Sequence, residues 1–309
     1  MESRTYLINP VQPFDFTLTA GYHTYFSGHY GADSLQDGVY RRLLEVNQRL
    51  LLASVRVQGN EQSPQLEVTL EGEGVDEEDA RQAVKLVGWV LGVDTPVEQF
   101  YLAAQRDPVL KAVTNGLHGL HPPHTTSLFE ALVMAVTGQQ IATNVARIIR
   151  TLLIQTHGAE LNLDGQAYYA FPTPQALFSA GVEGLRKLKL STRKAEYIVG
   201  IASSALEGSL DQESLSKLSD EQVGEQIMGL RGVGQWTTQW ILIRGLGRMD
   251  AFPAGDLALR RVISQGYFQG RVLSEGEVEE FSRRWSPYRS LATVYLLAGA
   301  RMGLLEKAG

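Results

Sequence analysis

Between Val39 and about Gly72, apolar and polar positions alternate in short, β-branched runs: RLLLASVRVQG, a turn-like NEQSP, then QLEVTLEG. Alternation of this kind gives each strand one buried and one solvated face, so the segment predicts an antiparallel pair or meander. After the acidic DEEDA the spacing changes, and Asp79–Val93 reads as a helix. From about residue 107 a period of 3.6 takes over, interrupted by short breaks and with no convincing strand. Ser127 opens LFEALVMAVTGQQIATNVARIIRTLLIQTHG, which reads as two helices meeting near Gly138. Further helices are predicted near Thr173–Ala180, Ser191–Leu206, Ser219–Met228, Gln235–Leu246, Asp256–Tyr267 and Ser286–Met302, while GLHGLHPPHTT and FPTP have the chemistry of loops. The pattern predicts an α+β protein. Residues 1–110 form a small domain with an antiparallel β-sheet, and residues 111–309 form an all-α unit.

Composition narrows this picture. With 309 residues, 44% of them hydrophobic, the chain can bury substantial cores. It contains no cysteine, which excludes disulfides, thiolate metal sites, a nucleophilic cysteine and a cysteine-held iron–sulfur cluster. The opening MESRTYLINPVQPFDF lacks the basic and apolar regions of a secretory signal, and no uncharged apolar run reaches membrane-spanning length. A cytoplasmic protein is expected. The net charge of −6 is unevenly spread: residues 1–110 carry 8 basic against 16 acidic side chains, residues 111–309 carry 20 against 18. A near-neutral C-terminal unit is compatible with nucleic acid if backbone N–H groups meet the phosphates.

The candidate chemistry lies in two linked segments. Leu230-Arg231-Gly232-Val233-Gly234 separates two helical stretches and is followed by Gln235-Trp236-Thr237-Thr238. Two glycines at i, i+2 permit a tight turn with unshielded N–H groups, Val233 can plug between the flanking helices, and the next helix starts with free N–H groups. Alone, such a segment is equally an ordinary helix end and turn. Asp256, 22 residues past Gly234, opens an apolar-periodic helix and by itself is equally an N-cap.

Together, LRGVGQWTTQW and DAFPAGDLALRR resemble the helix-hairpin-helix, Gly/Pro-Asp superfamily of base-excision DNA glycosylases, specifically the DNA-3-methyladenine glycosylase II family. Thr137-Gly138-Gln139-Gln140-Ile141 is similar to the family's wedge-bearing junction, and Trp285-Ser286-Pro287-Tyr288-Arg289-Ser290 to the entry of its last helix. Pro13-Phe14-Asp15-Phe16 through Gly21-Tyr22 resembles the N-terminal domain of longer bacterial members, so residues 1–25 are expected to contribute to the cleft. The hairpin unit spans 219–246.

The resemblance implies a role for each matched position. Asp256 would be the essential carboxylate that stabilises positive charge on the deoxyribose and directs water. Trp236 occupies the position at which strand-nicking relatives carry a Schiff-base lysine, so a monofunctional enzyme without lyase activity is implied. Tyr22, Trp236 and Trp240 would line the base pocket, with Leu297 standing where well-known members have a further tryptophan and Tyr295 two residues earlier. Gln140, with Ile141 as second choice, would be the wedge that fills the gap left by the extruded base. The N–H groups of Gly232, Gly234 and Thr237 would hold a phosphate. No cofactor is required, although relatives hold a monovalent cation, sodium or potassium, through backbone carbonyls matching Met228, Leu230 and Val233. The partner implied is double-stranded DNA containing a damaged base, bound by a monomer, with no membrane involved. The substrates expected are alkylated purines. The alternatives are a deaminated or oxidised base, or a binding module without catalysis. His118, His121 and His124 invite a metal site, but Pro122 and Pro123 break any helix that would align them, and a polar linker is expected instead.

Overall fold

The computed structural model describes residues 2–60 and 63–305. Its N-terminal part is a six-stranded antiparallel sheet of β1 (Glu2–Ile8), β2 (His29–Tyr30), β3 (Asp33–Gln36), β4 (Val39–Val46), β5 (Arg49–Asn60) and β6 (Ser63–Gly72), in the spatial order β1-β6-β5-β4-β3-β2. The predicted meander is β4–β6. The turn expected at NEQSP falls partly on residues 61 and 62, outside the described ones. One face of the sheet, carrying Tyr40, Leu44, Leu51, Val55, Leu66 and Val68, packs against α2 (Glu77–Val90) through Ala80, Ala83, Val87 and Val90. Asp76 caps α2 by accepting the Asp79 N–H at 2.9 Å. The helix α1 (Phe16–His23) runs from this core toward the next one: Phe16 and Ala20 belong to the sheet side, Tyr22 to the helical side.

The helical core contains α3 (Glu98–Ala104), α4 (Pro108–Gly116), α5 (Leu128–Gly138), α6 (Thr143–His157), α7 (Pro174–Arg186), α8 (Thr192–Leu206), α9 (Gln212–Ser216), α10 (Asp220–Met228), α11 (Gln235–Arg244), α12 (Leu257–Phe268), α13 (Glu275–Ser282) and α14 (Arg289–Arg301). α5 is buried nearly all round and packs on α6, α8 and α11, and α14 packs on α4 and α12. The sheet-side core ends at Val93 and, Tyr22 apart, the helical core begins at Val97. The boundary expected at residue 110 therefore falls inside the helical unit, because α3 and α4 bury Phe100, Val109, Leu110 and Val113 there.

Two further expectations are corrected. The helical unit is not free of strands, since β7 (Glu160–Leu163) and β8 (Gln166–Tyr169) form a hairpin. Its turn residues Asp164 and Gly165 both have positive φ, 50° and 79°, the signature of a tight two-residue turn. The hairpin lays Leu161, Leu163 and Tyr168 over Leu43 and Leu52 on the second face of the six-stranded sheet.

In the linker through His118–His124, the first histidine is exposed but the later two are not solvated. His121 Nδ1 and Nε2 lie 2.6 Å and 3.0 Å from the carbonyls of Gly92 and Pro13, and His124 Nδ1 lies 2.8 Å from that of Trp89, on whose ring it stacks. Both imidazoles are buried, and burial pushes both down from the ordinary value, His124 to about 4. Among the described residues, no cluster of histidines and carboxylates could hold a metal ion, and no helix is long and apolar enough to cross a membrane.

Candidate active site

α10 and α11 are joined by the turn Gly229–Gly234. Ser219 and Gln222 close a capping box at the start of α10, but α11 begins at Gly234 with no side-chain cap. The N–H groups of Gly232, Gly234, Gln235, Trp236 and Thr237 donate no hydrogen bond within the described residues, so the turn presents a row of free donors. The two glycines have different reasons to be there. Gly232 has φ +89°, and a Cβ would sit 2.2 Å from the Tyr197 ring, so the fold itself requires glycine. At Gly234 a Cβ would meet nothing within 4 Å, so no neighbour within the protein explains the missing side chain. Val233 is buried between the helices, as its plug role requires.

Asp256 is delivered by the loop Asp250–Gly255, which is anchored through its first three residues. Phe252 N–H donates to Gln239 Oε1 of α11 at 2.8 Å, Ala251 N–H donates to Ser290 Oγ of α14 at 3.0 Å, and Asp250 pairs with Arg289 at 3.0 Å. The half-buried carboxylate then caps α12, with Oδ1 accepting the Leu259 N–H at 3.0 Å. Its Oδ2 accepts two indole N–H groups, from Trp236 at 2.9 Å and Trp240 at 3.2 Å. The i, i+4 face of the two tryptophans is thus aimed at the carboxylate. Three of the roughly four lone-pair directions of a carboxylate are filled, which fixes its plane and leaves one direction for a substrate or water.

α5 ends at Gly138, and the chain turns into α6 through Gln139–Ala142. Gln140 is exposed and has φ +56°, an uncommon conformation for a residue with a side chain, while Ile141 is half-buried against the helical core. Of the two wedge candidates, Gln140 is the one that points to solvent. Sequence reasoning missed two neighbours. Gln139 Nε2 donates to the Gly232 carbonyl at 2.9 Å and to Thr237 Oγ1 at 3.2 Å, and Lys194 Nζ donates to the carbonyls of Thr137 and Gln139 at 3.0 Å and 2.6 Å. The doubled glutamine was the available signal for the first; nothing local marks Lys194.

The remaining pocket candidates separate. Tyr295 is fully buried, its hydroxyl 2.6 Å from both the Leu120 carbonyl and the Tyr101 hydroxyl, so it faces the core. Leu297, two residues on, lies on another side of α14 and shares a face with Arg301. The Arg301 guanidinium stands 5.3 Å from the centre of the buried Tyr22 ring and 4.2 Å from that of Tyr25. Burial alone would raise the Tyr25 phenol, yet the charges of Arg244, Arg150 and Arg301 outweigh it and hold the group below its usual value. Next to Trp236, a cleft of about 150 Å³ opens between Gln235 and Gln239 on one side and Pro253, Gly255 and Glu275 on the other; Tyr22, Trp240 and Leu297 do not line it.

Residues 133–287, which run from α5 through the hairpin and Asp256 to Pro287, match the model of the HhH-GPD superfamily base excision DNA repair proteins. The chain is 27% identical over 283 residues to a DNA-3-methyladenine glycosylase of Bacillus subtilis, covering 92% of this chain and 93% of that one. A 3-methyladenine DNA glycosylase from Archaeoglobus fulgidus superposes with a TM-score of 0.83 at 28% identity, covering 96% and 98% of the two chains. A 3-methyladenine DNA glycosylase of Schizosaccharomyces pombe, solved with abasic DNA, superposes with a TM-score of 0.56 at 25% identity, covering 64% of this chain and 95% of that one.

Proposed function

The chain belongs to the HhH-GPD superfamily of base excision DNA repair proteins, and from that membership we propose that it is a monofunctional DNA glycosylase. It flips an alkylated purine of the 3-methyladenine or 7-methylguanine type out of double-stranded DNA and hydrolyses the N-glycosidic bond. The observation that carries this reading is the carboxylate of Asp256, held by two indole N–H groups and one backbone N–H beside an uncapped hairpin. The extent of the match to the Bacillus subtilis and Archaeoglobus fulgidus glycosylases supports the same substrate class.

The N–H groups of Gly232, Gly234 and Thr237 grip a backbone phosphate, and Gln140 fills the place of the extruded base. The C1′–N bond breaks with its electrons going to the base, which is already cationic when N3- or N7-alkylated and therefore leaves neutral without a general acid. Positive charge left on the sugar meets the open lone pair of Asp256, and water adds at C1′, losing its proton toward that carboxylate. An indole N–H at position 236 cannot form a Schiff base, so water is the nucleophile and no strand is cut. Borohydride treatment during turnover tests this point: no covalent protein–DNA adduct is expected, and one that forms overturns it.

A monovalent cation suits the hairpin carbonyls. Leu230 O accepts one bond, from Val233 N–H at 3.1 Å, and the carbonyls of Met228 and Val233 receive no backbone donor among the described residues. These three neutral oxygens would hold sodium or potassium and brace the turn. The protein would act as a monomer, in the cytoplasm, on chromosomal DNA.

Arg301 favours a second substrate reading. A guanidinium next to Tyr22 and Leu297 repels a cationic base and offers donors to the 6-oxo and N7 acceptors of a neutral deaminated purine such as hypoxanthine. Chromatography of the bases released from methylated and from deaminated duplexes separates the readings. Release of 3-methyladenine and 7-methylguanine is expected, whereas release of hypoxanthine alone would transfer the assignment to the second.

A further inference from the structure

We infer that Gln139 and Lys194 form a latch that makes wedge insertion and phosphate grip a single event, an inference that rests on the glycosylase reading above. The junction that carries Gln140 and the hairpin that carries the free N–H groups belong to different helix pairs, α5–α6 and α10–α11, separated by about ninety residues of chain. Gln139 joins them directly. Its amide donates to the carbonyl of Gly232, a residue of the grip, and to the hydroxyl of Thr237, whose own N–H is another part of the grip. Lys194, in the first turn of α8, holds the other side by donating to the carbonyls of Thr137 and Gln139. Those carbonyls lie at the C-terminal end of α5, where a cation meets the negative end of the helix dipole. Gln139 is therefore pinned at its main-chain oxygen by Lys194 and at its side chain by the hairpin, immediately before the wedge residue with its left-handed backbone.

The consequence is mechanical. A phosphate pulled onto the N–H groups of Gly232, Gly234 and Thr237 fixes the hairpin. Through Gln139 it also fixes the distance between that phosphate and the Gln140 side chain. Without the latch, grip and wedge would engage independently, and the ordering cost of the wedge would be met only after the duplex is bound. Gln139 and Lys194 touch no reacting atom; they are positioning residues.

The test compares binding to two duplexes, one containing a stable abasic analogue, tetrahydrofuran, and one undamaged. Gln139→Leu keeps the size and removes the donor, and Lys194→Met removes the other half of the latch. Both variants are expected to melt near wild type and to bind undamaged duplex within about twofold of it, while preference for the abasic duplex falls about tenfold. In the Gln139→Leu background, the further change Gln140→Ala is expected to cost less discrimination than it does in wild type, because the two act as one unit. Lys194→Arg, which still supplies donors for both carbonyls, is expected to restore most of the preference. Equal losses on the two duplexes, unchanged preference, or fully additive losses overturn the latch. If wild type itself shows no preference for the abasic duplex, the glycosylase reading falls and the latch with it.

Discussion

Oδ2 of Asp256 takes two indole N–H groups while Oδ1 closes the first turn of α12, so each carboxylate oxygen has a separate structural task. Hydrogen bonds to a charged acceptor are worth about 1.5–3 kcal/mol, and losing one frees the carboxylate to rotate about its remaining partners. Trp236→Phe and Trp240→Phe keep the aromatic surface and delete the donor. Each is expected to slow base release under single-turnover conditions by about tenfold or more while leaving affinity for an abasic duplex nearly unchanged. Weakened binding with an unchanged rate would make them pocket walls instead. The spacing of the two tryptophans, and the capping position of the aspartate, were legible in the sequence. That the tryptophans point at the aspartate was not, because 16 and 20 residues of loop and helix decide how the two elements face. Tyr295 shows the same limit: a helix position predicts a face only once its neighbours are known, and this one turns inward to Leu120 and Tyr101.

The two glycines of the hairpin have different surroundings. Gly232→Ala must push a methyl into the Tyr197 ring at a positive φ and is expected to destabilise the protein by roughly 1–3 kcal/mol. Gly234→Ala has open space around it, so its melting temperature should match wild type while DNA affinity drops and the salt dependence of binding becomes shallower. If Gly234→Ala binds DNA normally, the turn is not the phosphate grip. At the junction of α5 and α6, Gln140→Ala is expected to cost discrimination with no loss of stability. Ile141→Ala, which thins the core packing, should lower stability first; the opposite order would transfer the wedge to Ile141. Long periodic helices were readable from spacing, as was the β4–β6 meander. The β7–β8 hairpin carried its own signal, an Asp-Gly pair between alternating residues, and was obscured by the helical periods on both sides. The histidine linker reads as polar, yet backbone carbonyls of Pro13, Trp89 and Gly92, distant in sequence, satisfy the rings of His121 and His124 and let these two be buried.

The sheet-side and helical cores are joined by charge as well as by apolar packing. Arg42 of β4, 3% exposed, reaches Asp33 at 2.8 Å and Glu130 of α5 at 2.6 Å. Beside this joint, His23 and His124 are buried and held below the ordinary histidine value by loss of solvation and, second, by the nearby arginine charges for His23; burial lowers His121 as well. These groups bind protons more readily in the unfolded chain, so folding stability is complete above about pH 6.5 and is lost as pH falls toward about 4. The melting temperature should fall across that window, and His124→Gln should flatten part of the slope; a flat profile in wild type would remove the histidines from the joint's energetics. Across the whole molecule, the proposed hydrolysis at C1′ rests on the three-bonded carboxylate of Asp256 beside the uncapped hairpin. The decisive measurement is single-turnover base release from alkylated duplex by wild type and by Asp256→Asn. Asparagine keeps the size and can still cap α12 but carries no charge, so a rate reduced by at least about a hundredfold is expected with abasic-duplex affinity retained. Equal rates from the two proteins would remove Asp256 from the chemistry.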